Sequence, residues 1–551
     1  MSWKSRAALL AVLAVSAAAL VAPGNASAFG PVSGFGSFGS GAGQMTGPGD
    51  AAVGPDGSLY VTGFTTRRVD VFSPTGEFKF AFGKGVEPGP GKGSVCTLAT
   101  GCQVGSIDGS AGSIGAPEGV AFAPDGNVYI GDLGNNRVDV FTPQGTFLFA
   151  FGKNVNLEVA PANKDVCTPQ TGCQIGEFSV SAGGLQQVKN LGFGPNGDVY
   201  VADRFNERVE VFSPAGAFKF AFGGGVNVET GPGTNPNNCT KASGCKAGSN
   251  GSAAGEIKRP IDIKTGPAGQ LAVSDRGNNR IDVYSAAGAF QYAFATGVNP
   301  NNASGVCTVE CKAGDLGGAA GAVVPFAIEV DAAGDVFVAD AINKRISQFS
   351  ISGQFERTFG EGVLDGTAAF QVCTASCLAG QAGTVPGSVG EPLGVAIDCR
   401  GAIYAVEAVN SLLFARVERF AEPDTALAPC PPPPAPPTVP VKPPPTTAIG
   451  KPLNQFSFGK LTLNKKKGTA ILAVTVPGPG ALVLSGKGIH RFKATAKKAG
   501  NVRLAIKLVG KAKRRLVKTG KAKVKAQARF TPTGGTSLTR ARTLNLKKAL
   551  G

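Results

Sequence analysis

Short apolar runs alternate with turn residues along the middle of this chain. Residues 119–122, 128–130 and 137–141 are three such runs, and residues 124–126 form a Pro-Asp-Gly turn between the first two. A fourth run has phenylalanine at every second position: Phe147, Phe149 and Phe151. A hydrophobic period of two predicts strands with one buried face, so the segment predicts four antiparallel β-strands joined by tight turns.

The same pattern recurs six times between residues 50 and 420. Each copy has a glycine in its first turn, and these glycines are Gly57, Gly126, Gly197, Gly269, Gly334 and Gly401. Their spacing of 65 to 72 residues is typical of repeated supersecondary units that cannot bury a core alone. Six units of four strands predict an all-β, six-bladed β-propeller.

A polar motif follows the second strand of each repeat and reads Val-Tyr-Val-x-Asp-x-x-Asn-x-Arg-Val-x-Val-Phe. Four copies carry all three polar residues: Asp132, Asn135 and Arg137; Asp203, Asn206 and Arg208; Asp275, Asn278 and Arg280; Asp340, Asn343 and Arg345. The first copy departs, with Gly63 and Thr66, and the sixth has Glu407, Asn410 and a short insertion before Arg416.

This motif resembles the NHL repeat family of β-propellers, in the form found in secreted bacterial proteins, and the resemblance covers roughly residues 35–420. The repeated Asp, Asn and Arg are expected to shape turns, since short polar side chains bind nearby backbone groups. Their role is therefore expected to be structural.

The sixth repeat lacks a fourth strand of its own. A Phe-Gly-containing segment at residues 34–39 resembles the missing strand and stands alone near the N-terminus. We expect it to pair with residues 417–420 and to complete the sixth blade. Closing the ring in this way removes exposed strand edges.

Long insertions of roughly 25 to 35 residues follow Gly83, Gly152, Gly223, Ala295 and Gly360; we call them the crown insertions. Each carries one local cysteine pair: Cys96 and Cys102, Cys167 and Cys173, Cys239 and Cys245, Cys307 and Cys311, Cys373 and Cys377. In an exported protein such pairs predict disulfides, each worth about 2 kcal/mol in the chain-entropy model. Because successive strands run in opposite directions, the insertions and the Asp-x-x-Asn turns are expected on one side of the ring, which we call the crown face.

Two roles for the crown insertions stay open. They either form preorganised loops that recognise a partner, or they are disulfide-linked only to resist proteolysis. Metal binding by two cysteines without histidine is disfavoured. The remaining cysteines, Cys399 and Cys430, lie toward the opposite face and predict a disulfide that fixes the end of the ring.

The ends of the chain differ from the repeats. Residues 1–28 predict a signal peptide, with Lys4 and Arg6 before an apolar run and a small-residue cleavage site. The propeller is expected over residues 29–421 and a proline-rich linker over 422–452. Short alternating strands over residues 453–551 predict a small, immunoglobulin-like β-sandwich.

Charge separates the two domains. Residues 450–551 contain 25 Lys and Arg and no Asp or Glu, whereas residues 29–421 have 26 basic and 35 acidic residues. The positive potential of this domain predicts binding to anionic envelope polymers. The alternative is that the charges only keep the domain soluble. The candidate contacts are Lys465, Lys466, Lys467, Lys511, Lys513, Arg514 and Arg515. Nucleic acid is disfavoured by secretion and by the scarcity of aromatic residues for base stacking.

Histidine-based chemistry is excluded from the propeller because the single histidine, His490, lies in the basic domain. The sequence favours a secreted or envelope-associated scaffold that binds an unknown protein or ligand on the crown face, with no cofactor and no catalytic residue identified. The alternative is a calcium-dependent hydrolase resembling lactonases or gluconolactonases, in which Glu118, Glu391 and Asp262 would approach an axial ion.

Overall fold

The computed structural model describes residues 29–89, 93–158, 164–229, 231, 233–301, 305–408, 415–422, 456–498, 500–532 and 537–549. The chain divides into two compact units, Met1–Pro437 and Thr438–Gly551. The expected signal peptide and nearly all of the expected linker lie outside the described residues.

The first unit is built from short strands. It begins with β1 (Gly30–Phe35), β2 (Ser37–Phe38) and β3 (Gln44–Met45). The next sheet contains β4 (Pro48–Val53), β5 (Leu59–Gly63), β6 (Arg68–Phe72), β7 (Phe78–Phe82) and β8 (Val95–Cys96). The second repeat supplies β9 (Pro117–Phe122), β10 (Val128–Asp132), β11 (Arg137–Phe141), β12 (Phe147–Phe151) and β13 (Val166–Cys167).

The third repeat contains β14 (Val188–Phe193), β15 (Val199–Asp203), β16 (Arg208–Phe212), β17 (Phe218–Phe222) and β18 (Asn238–Cys239). The fourth contains β19 (Pro260–Thr265), β20 (Leu271–Asp275), β21 (Arg280–Tyr284), β22 (Phe290–Phe294) and β23 (Val306–Cys307). The fifth contains β24 (Pro325–Val330), β25 (Asp335–Asp340), β26 (Arg345–Ser350), β27 (Phe355–Glu361) and β28 (Phe370–Cys373). The sixth contains β29 (Pro392–Ile397), β30 (Ile403–Ala408) and β31 (Ala415–Ala421).

The prediction of an all-β propeller is confirmed, and the number of strands per repeat is larger than predicted. The first five repeats each form five antiparallel strands in sequence order. The fifth strand comes from the crown insertion, where Cys167 pairs with Ala150 of β12 and Cys96 pairs with Ala81 of β7. This strand was not predicted because it is short: two residues in each of the first four repeats and four residues in the fifth.

The inner strands of the sheets form a closed cycle. β4 contacts β9, and the contacts continue through β14, β19, β24 and β29 back to β4. Aromatic side chains fill the space between neighbouring sheets; Phe151 lies 4.9 Å from Phe212, for example, between ring centroids. The tyrosine of the second strand adds a hydrogen bond across the same boundary, as from Tyr129 to the carbonyl of Pro214 at 3.0 Å.

The N-terminal strand closes the ring, but it lies earlier than expected. β1 pairs with β31 in antiparallel register, with Gly30 opposite Ala421 and Phe35 opposite Val417. The expected segment was residues 34–39. Gly36 has a φ of 88°, which ends the strand, and Phe35 instead packs on Phe72 at 5.3 Å between ring centroids.

The described residues of the second unit form seven strands and one helix. Its elements are β32 (Ser457–Asn464), β33 (Thr469–Val476), β34 (Gly480–Ser485), β35 (Phe492–Ala496), β36 (Gly500–Ile506), α1 (Gly510–Thr519), β37 (Lys521–Pro532) and β38 (Leu538–Lys547). They form one sheet in the order β32-β33-β36 and another in the order β35-β34-β37-β38. Both sheets contribute to a single cluster of buried apolar side chains. The immunoglobulin-like relationship stays a prediction.

Helix α1 was not predicted. Its sequence is rich in Lys and Arg, which favour helix. Leu516 buries one side, and Gly520 ends the helix with a φ of 65° in the left-handed region.

Candidate functional site

The repeat aspartates hold the start of the neighbouring inner strand. Oδ1 of Asp132 accepts hydrogen bonds from the backbone N–H of Gly115 at 2.9 Å and of Asn135 at 3.2 Å. Its Oδ2 accepts from the Asn135 side chain at 2.6 Å. The equivalent pairs are Asp203 with Asn206, Asp275 with Asn278, and Asp340 with Asn343. These side chains are buried and engaged with the protein itself.

The repeat arginines connect successive crown insertions. Arg137 is fully buried, and its guanidinium donates to the carbonyls of Ser110 and Ser113 in one insertion, at 3.2 and 2.8 Å. It also donates to the carbonyl of Gln174 in the next insertion at 3.0 Å and pairs with Asp139 at 3.0 Å. The other arginines that donate to carbonyls on both sides are Arg68, Arg208, Arg280 and Arg345.

Each crown insertion has one glycine, not predicted from the sequence, that fixes the insertion to the polar turn of its repeat. The N–H of Gly176 donates to the carbonyl of Asn135 at 2.8 Å, and a Cβ at Gly176 would lie 2.4 Å from the carbonyl oxygen of Asn136. No side chain fits at that distance. The equivalent glycines are Gly105, Gly248, Gly314 and Gly380. The sequence contains a pattern that could have identified these glycines, since each of them ends a Cys-x-x-Gly motif.

The five crown disulfides are present in the structure. They join Cys96 to Cys102, Cys167 to Cys173, Cys239 to Cys245, Cys307 to Cys311 and Cys373 to Cys377, with Cα–Cα distances of 5.3 to 5.6 Å. In each pair the first cysteine extends the outer edge of the sheet and the second leads into the Cys-x-x-Gly motif. For the predicted Cys399–Cys430 disulfide, Cys430 lies outside the described residues.

Large apolar side chains are exposed on the crown insertions. Each insertion exposes at least one large hydrophobic side chain, and the most exposed are Leu98 at 71%, Leu316 at 74% and Val309 at 76%. Further examples are Phe178, Val228 and Leu364. Exposed apolar groups on a backbone that is fixed by arginine, glycine and disulfide are typical of interaction surfaces.

A cavity of about 120 Å³ lies on the propeller axis. Each of the six inner strands contributes its second residue, its third residue or both to the lining: Gly49, Asp50, Glu118, Lys189, Asn190, Ile261, Phe326, Ala327 and Leu393. Because the crown insertions lead into the starts of these strands, the cavity lies toward the crown face. A cavity of comparable size, about 150 Å³, holds one benzene molecule. The cavity therefore has room for a small ligand or for one group of a larger one.

The polar groups of the axial cavity are only partly paired. Lys189 forms an ion pair with Glu118 at 2.6 Å, and the Asn190 side chain donates to Oδ2 of Asp50 at 2.6 Å. Oδ1 of Asp50 is buried and has no hydrogen-bond partner among the described residues. Burial raises the pKa of Asp50 to about 8, so its carboxyl group can donate a hydrogen bond at neutral pH.

Two arginines lie in the turns that surround the cavity. The guanidinium carbon of Arg276 lies 4.5 Å from the ring centroid of Phe326, which lines the cavity. Arg204 donates to the side-chain oxygen of Gln187 at 3.4 Å. In both arginines Nε is buried without a hydrogen-bond partner among the described residues. The mouth of the cavity thus combines positive charge with an aromatic wall.

The residues considered for axial calcium do not form a shared set of ligands. Glu118 is paired with Lys189, whereas Asp262 lies 3.6 Å from Lys264 and accepts hydrogen bonds from two backbone N–H groups. Glu391 makes no described contact with either. In the described ranges, no group of three or more His, Cys, Asp or Glu side chains could hold a metal ion. Glu118, Glu391 and Asp262 therefore do not form a calcium site together.

In the second unit, the candidate cations lie on two exposed elements. Lys465, Lys466 and Lys467 form the turn between β32 and β33, while Lys511, Lys513, Arg514 and Arg515 lie on α1. The structure brings Lys465 to a crevice of about 300 Å³ at one end of the sheets. Three lysines that were not among the candidates line it as well: Lys521, Lys547 and Lys548.

Comparison with known proteins supports the fold. The segment 116–141 matches the family model described as the NHL repeat. Similar solved structures include virginiamycin B lyase from Staphylococcus aureus, with 12% identity, 69% of this chain and 97% of that chain covered, and a TM-score of 0.34. A gluconolactonase from Xanthomonas campestris has 11% identity, with 69% and 87% covered and a TM-score of 0.35. An auxiliary nutrient binding protein from Bacteroides ovatus has 12% identity, 71% and 76% covered and a TM-score of 0.38.

Similarity at this level carries no argument about activity. A search of curated proteins finds no match. The repeated sheets and the closed cycle of inner strands define the first unit as a β-propeller. The match of residues 116–141 to the NHL repeat model confirms, for that repeat, the resemblance inferred from the polar motif.

Proposed function

We propose that this protein is an exported scaffold whose propeller binds a partner or ligand through the crown face and whose second unit binds anionic polymers of the cell envelope. The observation that carries the proposal is the construction of the crown face. Buried arginines, close-packed glycines and disulfides fix its backbone, while its surface exposes large hydrophobic side chains and surrounds the axial cavity. Preorganised loops lose less conformational entropy on binding.

Export is supported by the cysteines. Ten of the twelve cysteines form the five crown disulfides, and structural disulfides persist in oxidising compartments. In the described part of the chain no helix is long and apolar enough to cross a membrane. Together with the expected signal peptide over residues 1–28, the disulfides favour a secreted or envelope-associated location.

Binding by the crown face is tested with two matched variants of the full chain. Leu98→Ser, Val309→Ser and Leu316→Ser together remove apolar surface from the crown insertions. Ile471→Ser, Val509→Ser and Val517→Ser together do so at exposed positions of the second unit. Proteins and ligands captured from the native culture medium are compared by mass spectrometry. We expect the first variant to lose partners that the wild type and the second variant retain; identical captured sets for all three would contradict a binding role of the crown face.

The envelope role of the second unit is tested by retention on cells. Deleting residues 450–551 removes 25 Lys and Arg side chains. We expect the full chain to stay cell-associated at low salt and to be released at high salt, because exposed charges are screened. Retention that is unchanged by the deletion at either salt concentration would contradict this part of the proposal.

The hydrolase alternative has its own test. No described residue arrangement favours it, and calcium binding would be its first requirement. A thermal-unfolding series with increasing calcium checks this directly, because a ligand that binds only the folded state raises the transition temperature. Saturable stabilisation by calcium, absent with magnesium, would favour the alternative over the scaffold.

A further inference from the structure

One strand of the second unit presents a row of cations. Along β37 every second side chain is exposed and the ones between are buried. The exposed positions include four cations: Lys521, Lys523, Lys525 and Arg529. Successive outward positions on a strand are about 7 Å apart, so the row extends over roughly 27 Å.

Neighbouring strands add cations to the same face. Lys547 of β38 lies opposite Lys521, and Lys493 of β35 and Arg529 both pair with Val483 of β34, which lies between them. Because paired residues on adjacent strands point to the same side of a sheet, these side chains share the outer face of the four-stranded sheet.

The row of cations continues into the lysine crevice. Lys521 is the first residue of β37 and also lines the crevice of about 300 Å³, together with Lys465, Lys547 and Lys548. The backbone of the crevice is fixed, since the N–H of Lys548 donates to the carbonyl of Gly520 at 2.8 Å and that of Ala549 to the carbonyl of Lys465 at 2.9 Å. The crevice and the strand therefore form one cationic track.

Nothing in the described part of this unit neutralises the track. Residues 450–551 contain no acidic side chain, and none of the ion pairs in the described residues involves a cation of the second unit. Like charges at this spacing repel one another, and a linear polyanion would relieve that repulsion along its whole length.

We propose that this track binds a linear phosphodiester polymer, with one phosphate group in the lysine crevice and the chain extended along β37. The inference rests on the proposed envelope role of the second unit and specifies its ligand and its site. Lysine ammonium groups bind phosphate as point charges and need no planar acceptor, so a row of three lysines and one arginine suits the phosphates of an extended chain. The exposed large hydrophobic residues described in this unit are Ile471, Val509 and Val517, which offer no aromatic face on which a nucleic-acid base could stack.

The test compares two full-length variants that each lose four exposed cations. The track variant combines Lys521→Gln, Lys523→Gln, Lys525→Gln and Arg529→Gln. The helix variant combines Lys511→Gln, Lys513→Gln, Arg514→Gln and Arg515→Gln. The probe is a synthetic glycerol-phosphate polymer that is long enough to span the strand, and affinity is measured over a series of salt concentrations. Circular dichroism and thermal unfolding confirm that both variants are folded.

We expect the track variant to lose most of its affinity, with the slope of log affinity against log salt smaller by about 3, since each phosphate contact on a flexible strand contributes about 0.7. The helix variant is expected to keep most of its affinity and nearly the wild-type slope. Equal losses in the two variants would overturn the track and leave the envelope role standing. A wild-type protein that does not bind the polymer would overturn the phosphodiester assignment, and the cell-retention test would then decide the envelope role separately.

Two further probes test the chemistry of the ligand. A polygalacturonate of similar length carries carboxylates in place of phosphates, and a single-stranded oligonucleotide adds bases to a phosphodiester chain. Weaker binding of polygalacturonate, and no gain from bases, supports the proposal. Equal or tighter binding of polygalacturonate, or tighter binding of the oligonucleotide, would overturn the assignment to a simple phosphodiester polymer.

Discussion

Replacement of Arg137 by methionine tests whether the repeat arginines hold the crown insertions in place. Methionine fills a similar volume but removes the charge and every N–H donor. The carboxylate of Asp139 then stays fully buried without its partner, and the carbonyls of Ser113 and Gln174 lose donors at 2.8 and 3.0 Å. Asp139 and Ser113 are fully buried, so these two groups cannot be solvated without local rearrangement.

Breaking a buried ion pair by removing one partner costs about 3–5 kcal/mol. A second substitution, Asp139→Ser, separates the two contributions, because Ser347 occupies the equivalent position two residues after Arg345 and shows that serine fits there. The double variant should recover about 1–3 kcal/mol of the loss, which is the cost of the unpaired buried group. The loss of stability that remains in the double variant is the contribution of the carbonyl groups that have lost their hydrogen-bond donors.

Hydrogen exchange followed by mass spectrometry reads this loss locally. The amides of Gln174 and Gly176 are hydrogen-bonded within the crown, and we expect peptides that contain them to exchange faster in the Arg137→Met variant. Lys79→Met is the control, since its ion pair with Asp56 is solvent-exposed and contributes about 0–1 kcal/mol. If the Arg137→Met variant exchanges no faster than this control, the arginine does not hold the insertions.

Three other perturbations address single features of the propeller. Gly248→Ala places a Cβ 2.3 Å from a backbone carbonyl oxygen and should cost about 1–3 kcal/mol in urea unfolding, whereas Gly231→Ala in the same insertion has open space and should be neutral; equal midpoints would refute the close-contact argument. Replacing Cys167 and Cys173 by serine should cost about 2 kcal/mol and speed cleavage of that insertion by thermolysin, and unchanged cleavage would show that the disulfide does not restrain it. Burial raises the pKa of Asp50 from 3.8 to about 8, so the folded state binds this proton more tightly and stability falls as pH rises from 4 through 8. Asp50→Asn should therefore flatten the decline of the unfolding temperature between pH 5 and 9, and parallel curves for the two proteins would contradict the raised pKa.

Local patterns in the sequence were enough to predict the repeat and the pairing of the ends. The alternation of apolar and polar residues around Tyr129 and the Pro-Asp-Gly turn before it predict the strands directly, since both patterns depend only on neighbouring residues. The crown cysteines could be paired because four to six positions separate the two members of each disulfide. The boundary of β1 could not be predicted from residues 34–39 alone, because Gly36 ends the strand only in the context of the closed ring.

The axial cavity could not be predicted from local patterns. Asp50 and Asn190 are 140 positions apart in the chain and meet only because the ring brings all inner strands to one axis. The Cys-x-x-Gly motif was local and was nevertheless overlooked, since a glycine among many glycines carries little signal until the carbonyl opposite it is known. In the second unit, α1 was missed because a run of Lys and Arg was read as charge rather than as helix propensity.

The pairing of β1 with β31 makes the order of synthesis matter for this protein. The first strand of the propeller to be synthesised pairs with the last one, so that Gly30 lies opposite Ala421. Until β31 emerges, β30 has an unpaired edge and the ring has an open seam, which is a template for association between chains. Nascent chains that stall before residue 415 should therefore aggregate or attract chaperones, whereas chains released just after residue 421 can already close.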